Sequence, residues 1–196
     1  MGRLYCLLGK SCAGKDTVFA RLMAEKTLNL RSVVTYTTRP KRAKETEGKE
    51  YHFATVAEFD EMKHSGRMIE SRTYHTVQGD WHYFTMDDGQ VDLASGDYLL
   101  IGTLESYTAL RAYYGADKVV GLYLTIDGEE RLMRLIGRER LQQVPDWREV
   151  CRRFLADEED FAAEKVEELS LTSYENRSLD TCIEAIRTRI LAERKK

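Results

Sequence analysis

The run Gly9-Lys10-Ser11-Cys12-Ala13-Gly14-Lys15-Asp16-Thr17 follows directly on the apolar stretch Leu4-Tyr5-Cys6-Leu7-Leu8. These residue types at this spacing suit phosphate chemistry. Glycine lets backbone N–H groups turn toward phosphate oxygens with no Cβ in the way. A helix opening at Lys15 would add its positive end, and the Lys15 ammonium can reach the outer phosphates. The plainer alternative is an ordinary glycine-rich turn, but its position between a β-like run and an amphipathic helix favours the phosphate site. The expected nucleotide-binding residues are Gly9, Ser11, Cys12, Ala13, Gly14, Lys15, Asp16 and Thr17.

The residue after the lysine departs from the usual pattern, which places a Ser or Thr hydroxyl on Mg²⁺. Here Asp16 stands first and Thr17 follows. A carboxylate is a hard oxygen ligand for Mg²⁺, directly or through water, and an acid is also favoured at a helix start. Both Asp16 and Thr17 remain candidates for the metal.

A second group is Thr35-Tyr36-Thr37-Thr38-Arg39-Pro40-Lys41-Arg42, followed by Gly48-Lys49-Glu50-Tyr51. Arg39 and Arg42 can converge on one phosphate with the planar, bidentate recognition that Lys lacks. The Tyr51 hydroxyl can complete that cage. A third group is the basic run Arg131, Arg134, Arg138 and Arg140, with Arg148, Arg152 and Arg153 beyond it. Phosphoryl transfer needs charge stabilisation and exclusion of water, which a closing segment rich in arginine supplies. Pairing to Glu129 and Glu130 along a helix is the simpler account of Arg131, and the surface account also suits Arg140 and Arg148.

These residues need a scaffold. Apolar runs at 4–8, 33–36, 98–101 and 119–126, with a weak one at 169–172, alternate with helical patterns. The helices are expected over 15–27, from Thr55 with Glu58 as a capping box to Gly66, over 105–114 with Gly115 as C-cap, after Asp127, over 146–168 and over 179–194. Strands alternating with helices imply an α/β fold with a parallel sheet covered on both faces, with nucleotide at the carboxyl ends of the strands. The segment from Arg39 to Phe84 breaks this rhythm. Its β-like pieces at 51–53, 68–73 and 82–85 read as antiparallel strands of a small insertion.

The 196 residues suit one domain. A formal net charge of -3 argues against nucleic acid as the main partner, and no apolar run reaches membrane length. Cys6, Cys12, Cys151 and Cys182 show no metal spacing and read as free thiols. A strand beginning this near the first residue leaves no room for a signal peptide, so a cytoplasmic location is expected.

Taken together, the phosphate loop, the T-x-T-T-R-x-x-R stretch, Gly48-x-x-Tyr51, Glu70, Tyr83 before Thr85, and the arginine segments resemble the guanylate kinase family over nearly the whole chain, in the right order. The resemblance implies a P-loop NTPase core, a nucleoside-monophosphate-binding insertion and a helical lid. On this chain these fall at about 1–36 and 86–196 for the core, 37–85 for the insertion and 136–150 for the lid. It implies ATP and GMP as substrates with Mg²⁺, an acceptor-phosphate grip by Arg39, Arg42, Tyr51 and Tyr83, and guanine reading by Thr35, Glu70 and Thr85. Lys15, Arg134, Arg138 and Arg153 become the catalytic candidates, with no nucleic acid or membrane partner and the oligomeric state open.

Three departures stand out. The family's two aspartates after the insertion are absent from Leu100-Ile101-Gly102-Thr103-Leu104-Glu105, leaving Glu105 to substitute. The stretch 71–81, with Tyr74, His75 and Trp81, is longer than usual. The lid segment 141–147 lacks the usual acidic wording. The same fold phosphorylating another acceptor, such as a ribose phosphate, is the first alternative. A non-catalytic binding module is the second, and Lys15 with the lid arginines argues against it.

Overall fold

All five residues of β1 (Leu4–Leu8) are buried. Tyr5 and Leu7 join one apolar cluster, while Leu4, Cys6 and Leu8 join another. A strand covered on both faces must be apolar throughout rather than alternating, which is why this run is conspicuous. The computed structural model describes residues 1–42, 45–76 and 79–195.

β1 lies at the centre of a five-stranded parallel sheet in the order β2 (Leu30–Ser32), β7 (Asp97–Ile101), β1, β8 (Val119–Thr125), β9 (Thr172–Glu175). On one face α1 (Lys15–Ala24) contributes Val18 and Leu22, and α7 (Leu179–Glu193) contributes Ile183, Ile186 and Ile190. That spacing of three and four residues forms a single helical stripe. The other face is covered by α3 (Leu104–Tyr114) through Leu104, Tyr107 and Leu110, and by Phe161, whose ring stacks on Tyr123.

A second, four-stranded sheet has the order β4 (His52–Phe53), β3 (Tyr36–Thr37), β6 (Gly79–Met86), β5 (Met68–Thr76). α2 (Val56–His64) packs Phe59 against it, and a reciprocal Thr55–Glu58 capping box opens that helix. α4 (Gly128–Glu139), α5 (Trp147–Asp160) and α6 (Ala163–Glu168) follow β8.

Several expected boundaries move. The run 33–36 is not one strand. Val33 still gives its N–H to Leu99, but the Gln90 side chain takes the N–H of Val34, and Tyr36–Thr37 turns into the small sheet. β4 runs parallel to β3, against the antiparallel expectation. The single helix over 146–168 divides at Phe161, whose burial against Tyr123 fixes a non-helical backbone. The last strand begins at Thr172, because Leu169 and Leu171 turn into the core around Ser170, which has φ 49°. Among the described residues no helix is long and apolar enough to cross a membrane.

Candidate active site

The glycine-rich loop leaves β1 at its carboxyl end and delivers the chain to α1. Gly14 caps the helix with φ 92°, and a Cβ there would lie 2.2 Å from Asn176 Nδ2. No side chain caps the helix start, so its first N–H groups are left for an anion. Cys12 also takes a left-handed conformation, with φ 62°. Lys15 folds back over the loop, donating from Nζ to the carbonyls of Gly9 at 2.6 Å and Lys10 at 3.0 Å. Burial pushes the Lys15 ammonium pKa down, against the pull of Asp157 and Asp16. Asp16 and Thr17 are exposed at the mouth of the loop.

Asp157 on α5 braces this loop. Its carboxylate accepts from Ser11 N–H at 2.9 Å, from Ser11 Oγ at 3.3 Å and from Arg131 Nη1 at 3.0 Å. Arg131 is only 1% exposed, also pairs with Glu158, and stacks on Phe154 with Cζ 3.9 Å from the ring centre. Its expected partners Glu129 and Glu130 are therefore replaced by Asp157 and Glu158, because its side chain turns inward to α5. It is Arg134 that pairs with Glu130, at 2.6 Å. Arg153 reaches Ser11 Oγ at 3.4 Å, and burial followed by the nearby charge of Arg138 lowers its pKa. Arg138 and Arg140 are exposed on or at the end of α4, and Arg148 on α5.

The acceptor candidates gather on the small sheet. Antiparallel pairing sets Glu70 opposite Thr85, Arg72 opposite Tyr83 and Tyr74 opposite Trp81, so one face of the hairpin carries all six. At one end Thr85 Oγ1 donates to Glu70 Oε1 at 2.6 Å, and Arg72 Nε donates to Glu70 Oε2 at 3.0 Å. Arg72 Nη1 continues to Thr103 Oγ1 at 3.0 Å, the cap of α3. At the other end Arg39, 3% exposed, donates from Nε to Tyr83 Oη at 3.1 Å and lies over the Tyr51 ring. Burial raises the Tyr51 pKa to about 12. Nearby charges act in both directions, Tyr83 and Asp16 adding to that rise and Arg39 and Arg72 opposing it.

Not every expected residue comes to the cage by its side chain. Arg42 is exposed and contributes its backbone N–H, which donates to Glu45 Oε2 at 2.8 Å. Thr35 is half-buried and its carbonyl accepts from His52 N–H. Glu105 is exposed in the first turn of α3 and acts on Arg72 and Tyr74 through its charge.

The family model described as guanylate kinase matches residues 1–81. A guanylate kinase of Neisseria gonorrhoeae is 31% identical over 156 residues, spanning 79% of this chain and 71% of that protein.

The chain belongs to the guanylate kinase family.

A guanylate kinase of Paraburkholderia xenovorans is 39% identical over 74 residues, which cover 38% of this chain and 32% of that protein. The chain spans between 32% and 45% of the length of several of the curated relatives it matches. The crystal structure of guanylate kinase from Anaplasma phagocytophilum shares the fold, with a TM-score of 0.68 at 19% identity over the whole of this chain and 87% of that one.

Within this family member, four site residues escape a reading of the sequence. Asn176 donates from Nδ2 to Ala13 O at 2.8 Å and steadies the phosphate loop from the end of β9. A correct start for β9 would have placed it at a strand's carboxyl end, where ligands bind. Asp157 lies one helical turn beyond Arg153, a spacing visible in the sequence. Arg72 is two residues from Glu70, hence on the same strand face. Glu45 sits in a charged loop with no periodic signal.

Proposed function

We propose that this chain is a nucleoside-monophosphate kinase that transfers the γ-phosphoryl group of ATP to GMP, giving ADP and GDP. The observation that carries the reading is the one hairpin face joining Arg39–Tyr83 at one end to Glu70–Thr85 at the other. The first pair fits a phosphate and the second fits a polar base edge. The ATP phosphates lie on the uncapped start of α1 and against Lys15. Arg153, and Arg134 and Arg138 from α4, neutralise charge that develops on the transferring group.

Mg²⁺ fits the loop mouth, where Asp16 or Thr17 would hold it. Among the described residues no group of three His, Cys, Asp or Glu forms a protein cage, and Mg²⁺ commonly keeps waters and binds through substrate phosphates with one or two carboxylates. When bound it supplies charge neutralisation at the phosphates. No general base is required of the protein, since positioning and electrostatics account for most of the rate. Nucleotides are the proposed partners, and the cytoplasm is the proposed location.

The test is an acceptor screen with ATP and Mg²⁺ that follows ADP release over GMP, AMP and phosphorylated sugars. GMP is expected to be consumed. Arg39→Ala should raise the acceptor KM and leave ATP binding nearly unchanged. Ready turnover of a sugar phosphate with GMP untouched would overturn the guanine reading and leave only the phosphate-loop half.

A further inference from the structure

A cavity of about 560 Å³ lies at the end of the parallel sheet opposite the phosphate loop, lined by the first residues of β8. Leu4 at the start of β1 pairs with Val119 at the start of β8, and the loop leaves β1 after Leu8. β9 joins β8 only from Leu122, opposite Thr172, so Val119–Gly121 have no strand on that side among the described residues. Side chains bound the gap instead, among them Tyr107 of α3 and Leu169 and Leu171 ahead of β9.

Three arginines line this cavity from three elements: Arg3 ahead of β1, Arg111 on α3 and Arg189 on α7. Two of them are anchored. Arg3 donates from Nε to the Glu193 carbonyl at 3.1 Å and from Nη1 to the Asp117 carbonyl. The buried Glu193 carboxylate lies 2.9 Å from Arg189 Nη2 and 3.7 Å from Arg3 Nε, so one acid serves two guanidinium groups. Arg111 has no such acid. Its guanidinium lies over the Tyr107 ring, 5.5 Å from the centre, and makes no ion pair or hydrogen bond among the described residues. Its Nε and that of Arg189 are buried with no hydrogen-bond partner. Arg39 and Arg131, which are enclosed elsewhere in the fold, meet one and two carboxylates, as buried charges usually do. Here three arginines stand against Glu193 and the exposed Asp117, which leaves one positive charge over.

That surplus fits an oxyanion, which a planar guanidinium fork recognises. Donors on three walls suit a tetrahedral phosphoryl group, whereas one fork satisfies a planar carboxylate. The volume exceeds that of a bare anion and falls within the ~300–1,000 Å³ of small-molecule sites. The Tyr107 ring, Leu169 and Leu171 offer an apolar wall to the rest of such a ligand. We propose that this cavity is a second ligand site, for a small phosphate-bearing molecule whose phosphoryl group is held by Arg111 and Arg189. The site is separate from the kinase cleft and does not depend on the reading given for that cleft.

The test titrates the ¹⁵N-labelled full chain with inorganic phosphate at constant ionic strength and follows the Gly121 and Leu171 amides by NMR. Both amides should shift saturably with phosphate and stay still with sodium chloride. The shifts should persist in Lys15→Ala, whose phosphate loop is impaired. Arg111→Leu should weaken the affinity about tenfold or more, the value of one charge-assisted hydrogen bond. Arg189→Gln carries the same comparison if the leucine variant does not fold. GDP and ribose 5-phosphate as further titrants separate a nucleotide from a sugar phosphate, and saturation by either below the phosphate concentration supports use of the apolar wall. Acetate saturating the site as well as phosphate does would overturn the phosphate class. Amides that do not move, or shifts that survive Arg111→Leu unchanged or vanish in Lys15→Ala, would overturn the site and leave the kinase reading intact.

Discussion

Arg39 grips Glu45 with two parallel bonds, Nη2 to Oε1 at 2.7 Å and Nη1 to Oε2 at 3.0 Å. The same guanidinium also meets Tyr83, in the cage proposed for the acceptor phosphate. Burial alone would raise the Glu45 carboxyl pKa, but the hydrogen bonds from Arg39 and from Arg42 N–H outweigh it and hold the pKa below the ordinary value. A depressed carboxylate pKa in the folded state contributes stability that is present above the unfolded pKa, about 4.3 for Glu. That contribution is lost as pH falls through the folded value. Wild-type Tm should therefore fall on acidification below about pH 5, and Glu45→Gln should show a lower Tm at neutral pH with a shallower acid decline. Thermal melts across the carboxylate range check this, and parallel profiles would refute it.

Lys15 reaches two carbonyls of its own loop, at 2.6 and 3.0 Å, and burial lowers its pKa. The ammonium is thus held among the loop's backbone groups, ready to exchange carbonyls for phosphate oxygens. Lys15→Ala should lower kcat by ~10²–10³, the usual loss when one preorganised charge-stabilising donor is removed. Single-turnover measurements at saturating ATP would show it, and unchanged turnover would remove Lys15 from the catalytic set.

Arg131 and Arg138 share a helix but not a role. Arg131 is enclosed by Asp157, Glu158 and the Phe154 ring, whereas Arg138 is exposed. Breaking a buried ion pair by removing one partner costs about 3–5 kcal/mol. Arg131→Ala should therefore lower stability by that order and, through Asp157, loosen Ser11 and raise the KM for ATP. Arg138→Ala should lower kcat with little change in Tm. Denaturant melts paired with steady-state kinetics test both, and the assignment fails if the two variants exchange phenotypes.

The phosphate loop was legible because local signals agree: a strand buried on both faces, glycines where the backbone needs positive φ, and a helix opening at Lys15. The insertion was legible as β-like, but its pairing was not. Tyr36–Thr37 and His52–Phe53 are two-residue strands, too short for any periodicity. Arg131 and Arg134 look equivalent in sequence, and only the approach of α5 decides which one turns inward. Asp157 and Asn176 gain their places from contacts across 146 and 163 residues with Ser11 and Ala13, separations that no local pattern carries.

Glu70 and Glu105 should contribute unequally to base selection. Glu70 is 8% exposed and tied to Thr85 and Arg72, so its acceptor direction is fixed. Glu105 is exposed and acts on Arg72 and Tyr74 by charge alone. Glu70→Gln presents an amide donor where guanine offers N1–H and an amino group, and it sets that donor against Arg72 Nε. The preference for GMP over AMP should fall by about 10–100-fold, the range for a hydrogen bond to a charged group. A site built around a substrate N–H discriminates by at most ~10⁴–10⁵, so some preference should survive through Thr35 and Thr85. Glu105→Ala should reduce GMP turnover further, by a smaller factor than Glu70→Gln, because solvent screens an exposed charge. Competition assays with GMP and AMP in one mixture measure the preference directly. A larger effect from Glu105 than from Glu70 would place the base at the start of α3 instead of on the hairpin face.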